Sequence, residues 1–289
     1  MADPSRSLPL HAGSVRIGAL LAVSIAASIT LSSARAPANT GATPDAALTG
    51  RDIYQRVLDN SFDSFVQDSI LTSGDRAGHS QESRFRMWFQ DLRDPAGKQQ
   101  KGAVIARSLV QYTHPFDIRY SGYLILSKLE AVNDQFVYLS SQRRVKRVNL
   151  RGKAVFGTDF SFEDILPRQI EEAAYTRLPD AEAGGRSCFV VEAVPKGEAN
   201  SEYSQMRIWV DKERYVPMLT RYWDDREVEV KELRVEPSQV ERIEGVWVPK
   251  RMTMRHLKLE SYTTLQLDQI EPNAKLSNTT FELRRLESH

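Results

Sequence analysis

The chain has 289 residues, with 39 basic and 38 acidic side chains and a formal net charge of +1. This balance argues against nucleic acid as the main partner, because nucleic-acid-binding proteins usually show a clear basic excess. One cysteine, Cys188, cannot form a disulfide within the chain. It lies in the apolar stretch 188–191, where a lone cysteine is typical of a small buried side chain.

The first residues predict export. Arg6 and Arg16 accompany an apolar run over residues 17–31, followed by small residues at Ala36 and Ala38. This is the layout of a secretory signal peptide, since the run of about 15 residues is shorter than the roughly 20 that span a bilayer. We expect cleavage after Ala38, because a cut after Ala36 leaves an N-terminal proline. The mature chain is then periplasmic and carries a formal charge of −1, since three basic residues and one acidic residue are removed.

A helix is predicted near the start of the mature chain. Residues 39–48 are small and polar and predict a disordered lead-in. Thr49 and Asp52 have the spacing of a capping box, and apolar residues at helical spacing continue to about Asn60. A second short helix is predicted over 161–166, where Ser161 and Asp164 form another capping pair and Pro167 stops it.

The rest of the chain shows the period of two that is typical of strands. Few helical patterns interrupt these segments, so residues 49–289 predict one mainly β domain with a large curved antiparallel sheet. One or two helices would cover this sheet. The acidic stretch 171–186 predicts an exposed excursion. The predicted strands lie at 84–89, 103–112, 117–129, 135–148, 187–194, 204–211, 215–223, 227–235, 243–256 and 257–270.

Four segments together resemble one known family, the outer-membrane lipoprotein-sorting proteins. Residues 136–147 resemble its tyrosine- and arginine-rich hairpin, 209–217 its Trp-Val-Asp-Lys strand and turn, and 243–254 its Gly-Val-Trp-Val-Pro strand. The remaining segment resembles the family's Gly-Thr-Asp-Phe and Glu-Asp motif. Its residues are Gly157, Thr158, Asp159, Phe160, Glu163 and Asp164.

The resemblance implies a fold similar to that of the carriers LolA and LolB. That fold is an incomplete antiparallel β-barrel whose open side is covered by helices, with a hydrophobic cavity between them. It also implies a non-enzymatic carrier of a lipid or lipoprotein acyl chain, with no cofactor. The implied partners are an RND-type inner-membrane exporter or an outer-membrane acceptor. An adaptor or sensor of an envelope complex is the alternative function, and an envelope hydrolase is the third.

Methionine and aromatic residues on the predicted strands are candidates to line an acyl-chain cavity. Methionine suits irregular ligands because it is unbranched and polarisable. For any single residue an ordinary core position is the better explanation, and the cavity hypothesis depends on the family resemblance. The candidates are Phe85, Met87, Phe89, Met206, Ile208, Met218, Met252 and Met254.

A basic run occupies the predicted hairpin and the residues after it. The 11 positions from Arg143 to Lys153 contain no acidic residue. The run predicts docking on anionic headgroups or on an acidic partner, or else a solvated edge whose charges prevent pairing with another sheet. The docking candidates are Arg143, Arg144, Lys146, Arg147, Arg151 and Lys153.

The densest acidic cluster, Asp159, Glu163 and Asp164, has two interpretations. It is either a metal site or acid–base pair, or a set of acids that complements the N-terminus of the predicted helix. No histidine lies close in sequence, and the four histidines of the mature chain, His79, His114, His256 and His289, lack the spacing of a metal pair. We therefore predict no catalytic residue, metal or cofactor.

Overall fold

The structure is a computed structural model that describes residues 47–94, 96–149, 152–166, 168–199 and 201–288. These residues belong to one compact unit, Thr43–His289. The predicted signal peptide and the lead-in up to residue 46 lie outside the described residues, and so they stay predictions.

Two α-helices are described, α1 at Gly50–Asp59 and α2 at Leu283–Glu287. The predicted capping box of α1 is confirmed. The Asp52 N–H donates to the Thr49 hydroxyl at 3.1 Å, and the Thr49 N–H donates to the Asp52 carboxylate at 2.9 Å. In the described part of the chain, no helix has the length and apolar character that a bilayer span requires.

Strands make up most of the described chain. Short 3-10 turns at Ile170–Glu172, Gly197–Ala199, Pro237–Gln239 and Asn278–Phe281 connect some of them. The strands are β1 Ser64–Gly74, β2 Ser80–Asp91, β3 Val104–His114, β4 Gly122–Lys128, β5 Asp134–Leu139, β6 Arg144–Val148, β7 Ala173–Ala183, β8 Arg186–Pro195, β9 Gln205–Asp211, β10 Pro217–Trp223, β11 Glu229–Val235, β12 Val240–Ile243, β13 Val246–Pro249, β14 Arg251–His256 and β15 Ser261–Pro272.

Thirteen of the described strands form one antiparallel sheet, in the order β6-β5-β4-β3-β2-β1-β15-β14-β11-β10-β9-β8-β7. The remaining two, β12 and β13, form a separate hairpin. β1 pairs with both β2 and β15, so the first and last strands of the chain meet near the middle of the sheet. The sheet does not close, and β6 and β7 are its two edges.

The sheet is strongly curved. β4 and β8 are nine strands apart in the sheet order, which would separate them by roughly 40 Å in a flat sheet. Yet Gln169 donates a side-chain hydrogen bond to the Lys128 carbonyl at 3.0 Å, and Lys196 N donates to the Glu172 carbonyl at 2.8 Å. Residues 169 and 172 span at most about 10 Å, so the two ends of the sheet must curl toward each other.

Alternation along the strands directs two sets of apolar side chains to opposite faces. On β3, Val110 and Tyr112 enter the largest apolar cluster, whereas Leu109 joins a smaller one with Leu286 of α2. We call the large cluster the central core. It contains residues of α1, of the segment before β7 and of the inner sheet face, among them Ile53, Tyr54, Phe160, Phe162, Phe189, Val191, Ile208 and Met254.

The predicted fold class is confirmed, but two local predictions are wrong and one strand was not predicted. Residues 161–166 form turns rather than a helix, because the Asp164 side chain binds to neighbouring elements and one capped turn does not propagate. The predicted excursion over 171–186 contains the edge strand β7, held by its pairing with β8. β1 was not predicted, although it lies at the centre of the sheet.

Candidate functional site

Residues 153–166, here called the covering segment, lie over the inner face of the sheet. Phe162 is buried in the central core, and Phe156 packs against that core. The Phe156 ring lies 4.7 Å from the Tyr112 ring, and the Phe162 ring meets the Tyr123 ring edge-on at 5.1 Å. The aromatic rings of the segment therefore occupy the surface that a ligand inside the sheet would contact.

Asp159 attaches the covering segment to β15. Its carboxylate accepts hydrogen bonds from the Ser261 hydroxyl and, at 2.8 Å, from the Thr263 hydroxyl. The Asp159 N–H donates back to the Thr263 hydroxyl at 2.9 Å. Asp159 therefore holds the segment on the sheet through both its backbone N–H and its carboxylate.

Asp164 attaches the other end of the segment through a buried charge pair. Its side chain is 1% exposed and that of Lys231 is 9% exposed, with 3.2 Å between Oδ2 and Nζ. The Tyr203 hydroxyl donates to Asp164 at 2.8 Å and accepts from Lys231 at 2.9 Å. Burial, followed by the nearby carboxylates of Asp164 and Glu202, raises the pKa of Tyr203, so this hydroxyl stays protonated and available as a donor.

Glu163 is 2% exposed and also forms hydrogen bonds. Its carboxylate accepts from the Ser201 hydroxyl and from the Glu202 N–H, the latter at 2.8 Å. Arg168 lies 3.7 Å from Glu163 Oε1. Asp159 thus binds β15, whereas Glu163 and Asp164 both bind the loop before β9. The buried charges of Glu163 and Asp164 meet the requirement that a buried charge be paired or hydrogen-bonded.

These contacts favour a structural role for the acidic cluster, although not the predicted one at a helix N-terminus. Across the described residues, no group of three or more His, Cys, Asp or Glu side chains is placed to hold a metal ion. His256 is partly buried, and burial together with the positive charge of Lys231 lowers its pKa. Cys188 is fully buried, and burial raises the pKa of its thiol to about 11, which keeps it protonated at neutral pH.

A cavity of about 650 Å³ lies where the two ends of the curved sheet approach each other. We call it the mouth. The β4–β5 turn contributes Glu130 and Val132 to its lining, and the stretch before β7 contributes Gln169 and Glu172. Its size falls within the range typical of small-molecule sites.

A second, much smaller cavity of about 10 Å³ lies next to the mouth. The two share three wall residues, Gln169, Glu172 and Ala199. The small cavity is also lined by Tyr54 and Met206, which belong to the central core. A thin wall therefore separates the polar mouth from the apolar interior.

The predicted cavity-lining residues are only partly brought together. Phe85, Met206, Ile208 and Met254 are buried in the central core, and Met87 and Met252 pack against it. Met218 lies in a separate cluster that Met252 also contacts, and Phe89 stacks on Phe65 with ring centroids 5.0 Å apart. Of the eight, Met206 lines the small cavity and none lines the mouth. Their role as ligand contacts stays a proposal.

The predicted docking residues lie at an edge of the sheet. Arg143 is in the β5–β6 turn with a positive φ of 46°, and Arg144, Lys146 and Arg147 are exposed on β6. Arg147 pairs with Asp134 of the neighbouring strand. Two further candidates follow the strand: Lys153 is exposed at the start of the covering segment, whereas Arg151 lies outside the described residues. An edge position agrees with both interpretations of the run.

The sequence analysis missed the residues that hold the covering segment. Lys231 and Tyr203 are far from the motif in sequence, and their contacts with Asp164 depend on the curvature of the sheet. One signal was available. Lys231 lies on the same face of β11 as Leu233 and Val235, which pack into apolar clusters. A lysine on the apolar side of a strand indicates a buried partner.

Two family models match the chain. One is described only as an uncharacterized protein and matches residues 106–288, which is more than half of the chain. The chain belongs to this family. The second model, DUF1329, described as a protein of unknown function, matches residues 53–150. Among curated proteins, none matches the chain significantly.

Several solved structures are similar over most of the chain. A DUF1329 family protein from Desulfovibrio piger has a TM-score of 0.75 at 23% identity, over 82% of this chain and 97% of its own. An outer membrane lipoprotein-sorting protein domain from Vibrio parahaemolyticus has a TM-score of 0.73 at 20% identity, over 82% and 98%. A LolA superfamily protein from Nitrosomonas europaea has 0.64 at 18% identity, over 83% and 100%. These likenesses show the fold and confirm the resemblance.

Proposed function

We propose that this protein is a non-enzymatic periplasmic carrier that holds the acyl chain of a lipid or lipoprotein on the inner face of its sheet. The observation that carries the proposal is the unclosed, curved sheet with an apolar interior, covered by a separate segment and bordered by a cavity of about 650 Å³. The structural similarity to lipoprotein-sorting and LolA superfamily proteins supports it.

Apolar burial would supply the affinity. A 16-carbon chain contributes roughly 10 kcal/mol of gross transfer free energy, at about 0.8 kcal/mol per CH₂. Part of this is offset, because the chain competes with Phe156 and Phe162 for the inner face. Displacing the covering segment would therefore lower the net affinity and make release to an acceptor easier. The acceptor would be an outer-membrane component, and an RND-type exporter is the proposed inner-membrane partner.

The contacts of the three acids in the covering segment support a carrier rather than an enzyme. Asp159, Glu163 and Asp164 each use their carboxylates to bind the covering segment to other elements. A general acid or base needs a proton that it can exchange with a substrate, at hydrogen-bond distance from the reacting group. The hydrogen bonds of these acids to other protein groups compete with that role.

The test is native mass spectrometry with lipid extraction on the mature protein, purified from its own periplasm without detergent. We expect a bound species with a defined lipid mass. A clean apo mass, combined with no uptake from added phospholipid or lipopeptide, would contradict the carrier.

An adaptor of an envelope complex is the second candidate, and the exposed basic edge strand β6 favours it. Charge reversal at Arg143, Arg144 and Arg147 separates the two functions. If the variant keeps its lipid but loses a partner, the hairpin serves docking and the interior serves the ligand. If the variant loses its lipid, the hairpin belongs to the ligand site itself.

A further inference from the structure

We propose that the mouth binds a zwitterionic phospholipid headgroup, a phosphate linked to an ammonium, while the acyl chains of the same lipid lie in the interior. This inference rests on the proposed carrier function and specifies the ligand class. It depends on three observations: the charges that line the mouth, the contacts that those charges already make, and the position of the small cavity behind it.

The mouth is polar and contains charges of both signs. Lys101 and Lys196 contribute two cations, and Glu130, Glu171 and Glu172 contribute three anions. A lining of a single sign would select an ion of the opposite sign. A mixed lining is complementary to a group that itself carries both charges, since each charge of the ligand meets its opposite.

The contacts within the protein leave two charges of each sign for a ligand. Glu171 is paired with Arg51 at 2.5 Å. Within the described residues, Lys101, Lys196 and Glu130 form no ion pair, although the charge of Lys196 helps to lower the pKa of Glu171. Glu172 accepts only a long hydrogen bond, 3.3 Å, from the Gln169 N–H. Two lysines would then bind the phosphate, and two glutamates the ammonium.

The position of the small cavity explains how one molecule would use both regions. Gln169, Glu172 and Ala199 line both cavities, so the same three residues face the headgroup and the interior. Beyond this wall lie Ala193 and Met206, which are buried in the central core. A lipid with its headgroup in the mouth would bring its chains to apolar surface by displacing this wall together with the aromatic rings of the covering segment.

The volume of the mouth agrees with this assignment. About 650 Å³ exceeds the space of a single ion and lies within the range of pockets that hold small organic ligands. Exposed lysines also keep most of their hydration in the empty protein, so the mouth does not require a ligand to fold.

The experiment is isothermal titration calorimetry on the mature chain, with four soluble probes below their micelle concentrations. They are dihexanoyl phosphatidylethanolamine, dihexanoyl phosphatidylglycerol, decanoate and phosphoethanolamine. We expect the phosphatidylethanolamine to bind at least tenfold more tightly than the phosphatidylglycerol or phosphoethanolamine. In the double variant Lys101→Ala/Lys196→Ala, its affinity falls at least tenfold. The affinity for decanoate, whose carboxylate makes fewer contacts than the whole headgroup, falls by a smaller factor.

The control is the double variant Lys258→Ala/Lys275→Ala, which removes two exposed lysines outside the mouth and should bind every probe normally. Equal affinity for the two phospholipids, or no loss in Lys101→Ala/Lys196→Ala, overturns the headgroup site. If decanoate still binds in that case, the carrier function stands without it. If phosphoethanolamine binds as tightly as the lipid, the mouth binds free phosphoesters instead. If no amphiphile binds to any form, both proposals fail.

Discussion

Two charged regions lie close together in the sequence but differ in their exposure to solvent and in the number of their hydrogen-bond and ion-pair partners. The basic run of the β5–β6 hairpin is exposed on an edge strand. Arg147, which pairs with Asp134, has a side chain that is 71% exposed. The acids of the covering segment begin a few residues later and are buried among hydrogen-bond donors, with Asp164 1% exposed. The comparison shows that charge density alone does not indicate function. Burial and the number of partners decide whether a charge stabilises the fold or is available to a ligand.

The largest predicted effect is on the buried pair of Asp164 and Lys231. The change Lys231→Met removes the cation and leaves a carboxylate that is almost fully buried. We expect the free energy of unfolding to fall by about 3–5 kcal/mol, because an uncompensated buried charge remains. Urea denaturation measures this, with Lys258→Met, an exposed lysine in the β14–β15 turn, as the control. If the free energy of unfolding falls by the same small amount in both variants, the charge of Asp164 does not stabilise the fold.

The second prediction concerns the hydrogen bonds between Asp159 of the covering segment and Thr263 of β15. Thr263→Val removes a hydroxyl that bonds to both the backbone and the carboxylate of Asp159. We expect a loss of about 1–3 kcal/mol, since the carboxylate and an N–H lose a partner. The control Thr253→Val breaks a hydrogen bond between two neutral hydroxyls, from β14 to Thr264 of β15, and should cost less.

The same variant also tests the covering segment as a competitor of the ligand. If the segment occupies the ligand surface, Thr263→Val should take up a fluorescent fatty acid faster than the unmodified protein, and Thr253→Val should not. Equal uptake rates in all three proteins would show that the ligand does not displace the segment.

The third prediction concerns the hairpin. Charge reversal at Arg143, Arg144 and Arg147 should change the free energy of unfolding by less than about 1 kcal/mol, because exposed ion pairs contribute little. The fraction of protein that floats with anionic vesicles should nevertheless fall clearly, since each basic residue contributes about 1 kcal/mol of binding free energy near such a surface. A large loss of stability would mean that the edge, like the covering segment, uses its charges to hold the fold.

Much of the fold was predictable because the strands depend on local alternation. The predicted segment 204–211 agrees with β9, and 215–223 with β10, because their apolar residues alternate in strands that pair within the sheet. β7 was missed because one side of an edge strand lacks a partner, so its sequence can be acidic and contain Pro179. Its pairing with the apolar strand β8 is a long-range contact that its own residues do not show.

The candidate site was less predictable than the fold. The motif around Asp159 and Asp164 was found, but its partners come from β11, β15 and the loop before β9. The mouth lies between the β4–β5 turn and the residues beside β7, which are adjacent only because the sheet curves. Curvature is a property of the whole sheet, and alternation within single strands does not determine it.

The smallest predicted effect is a pH dependence in the hairpin. The hydrogen bond from Lys128 holds the pKa of Asp134 below its ordinary value, with burial opposing this shift and Arg147 adding to it. A carboxyl with a lowered pKa in the folded state stabilises the fold above about pH 4, its value in the unfolded chain. That contribution is lost as the pH falls through the folded-state pKa.

The variant Asp134→Asn should therefore be slightly less stable than the unmodified protein at pH 7, by about 1 kcal/mol, because its partner Arg147 is exposed although Asp134 itself is only 18% exposed. The difference should shrink as the pH is lowered below about 4, because the unmodified protein then loses the same interaction. Urea denaturation between pH 3 and 7 measures the difference, with Asp225→Asn in an exposed turn as the control. A difference that grows toward low pH would mean that Asp134 is protonated more easily in the folded protein, and its ion pairs would then not stabilise the edge.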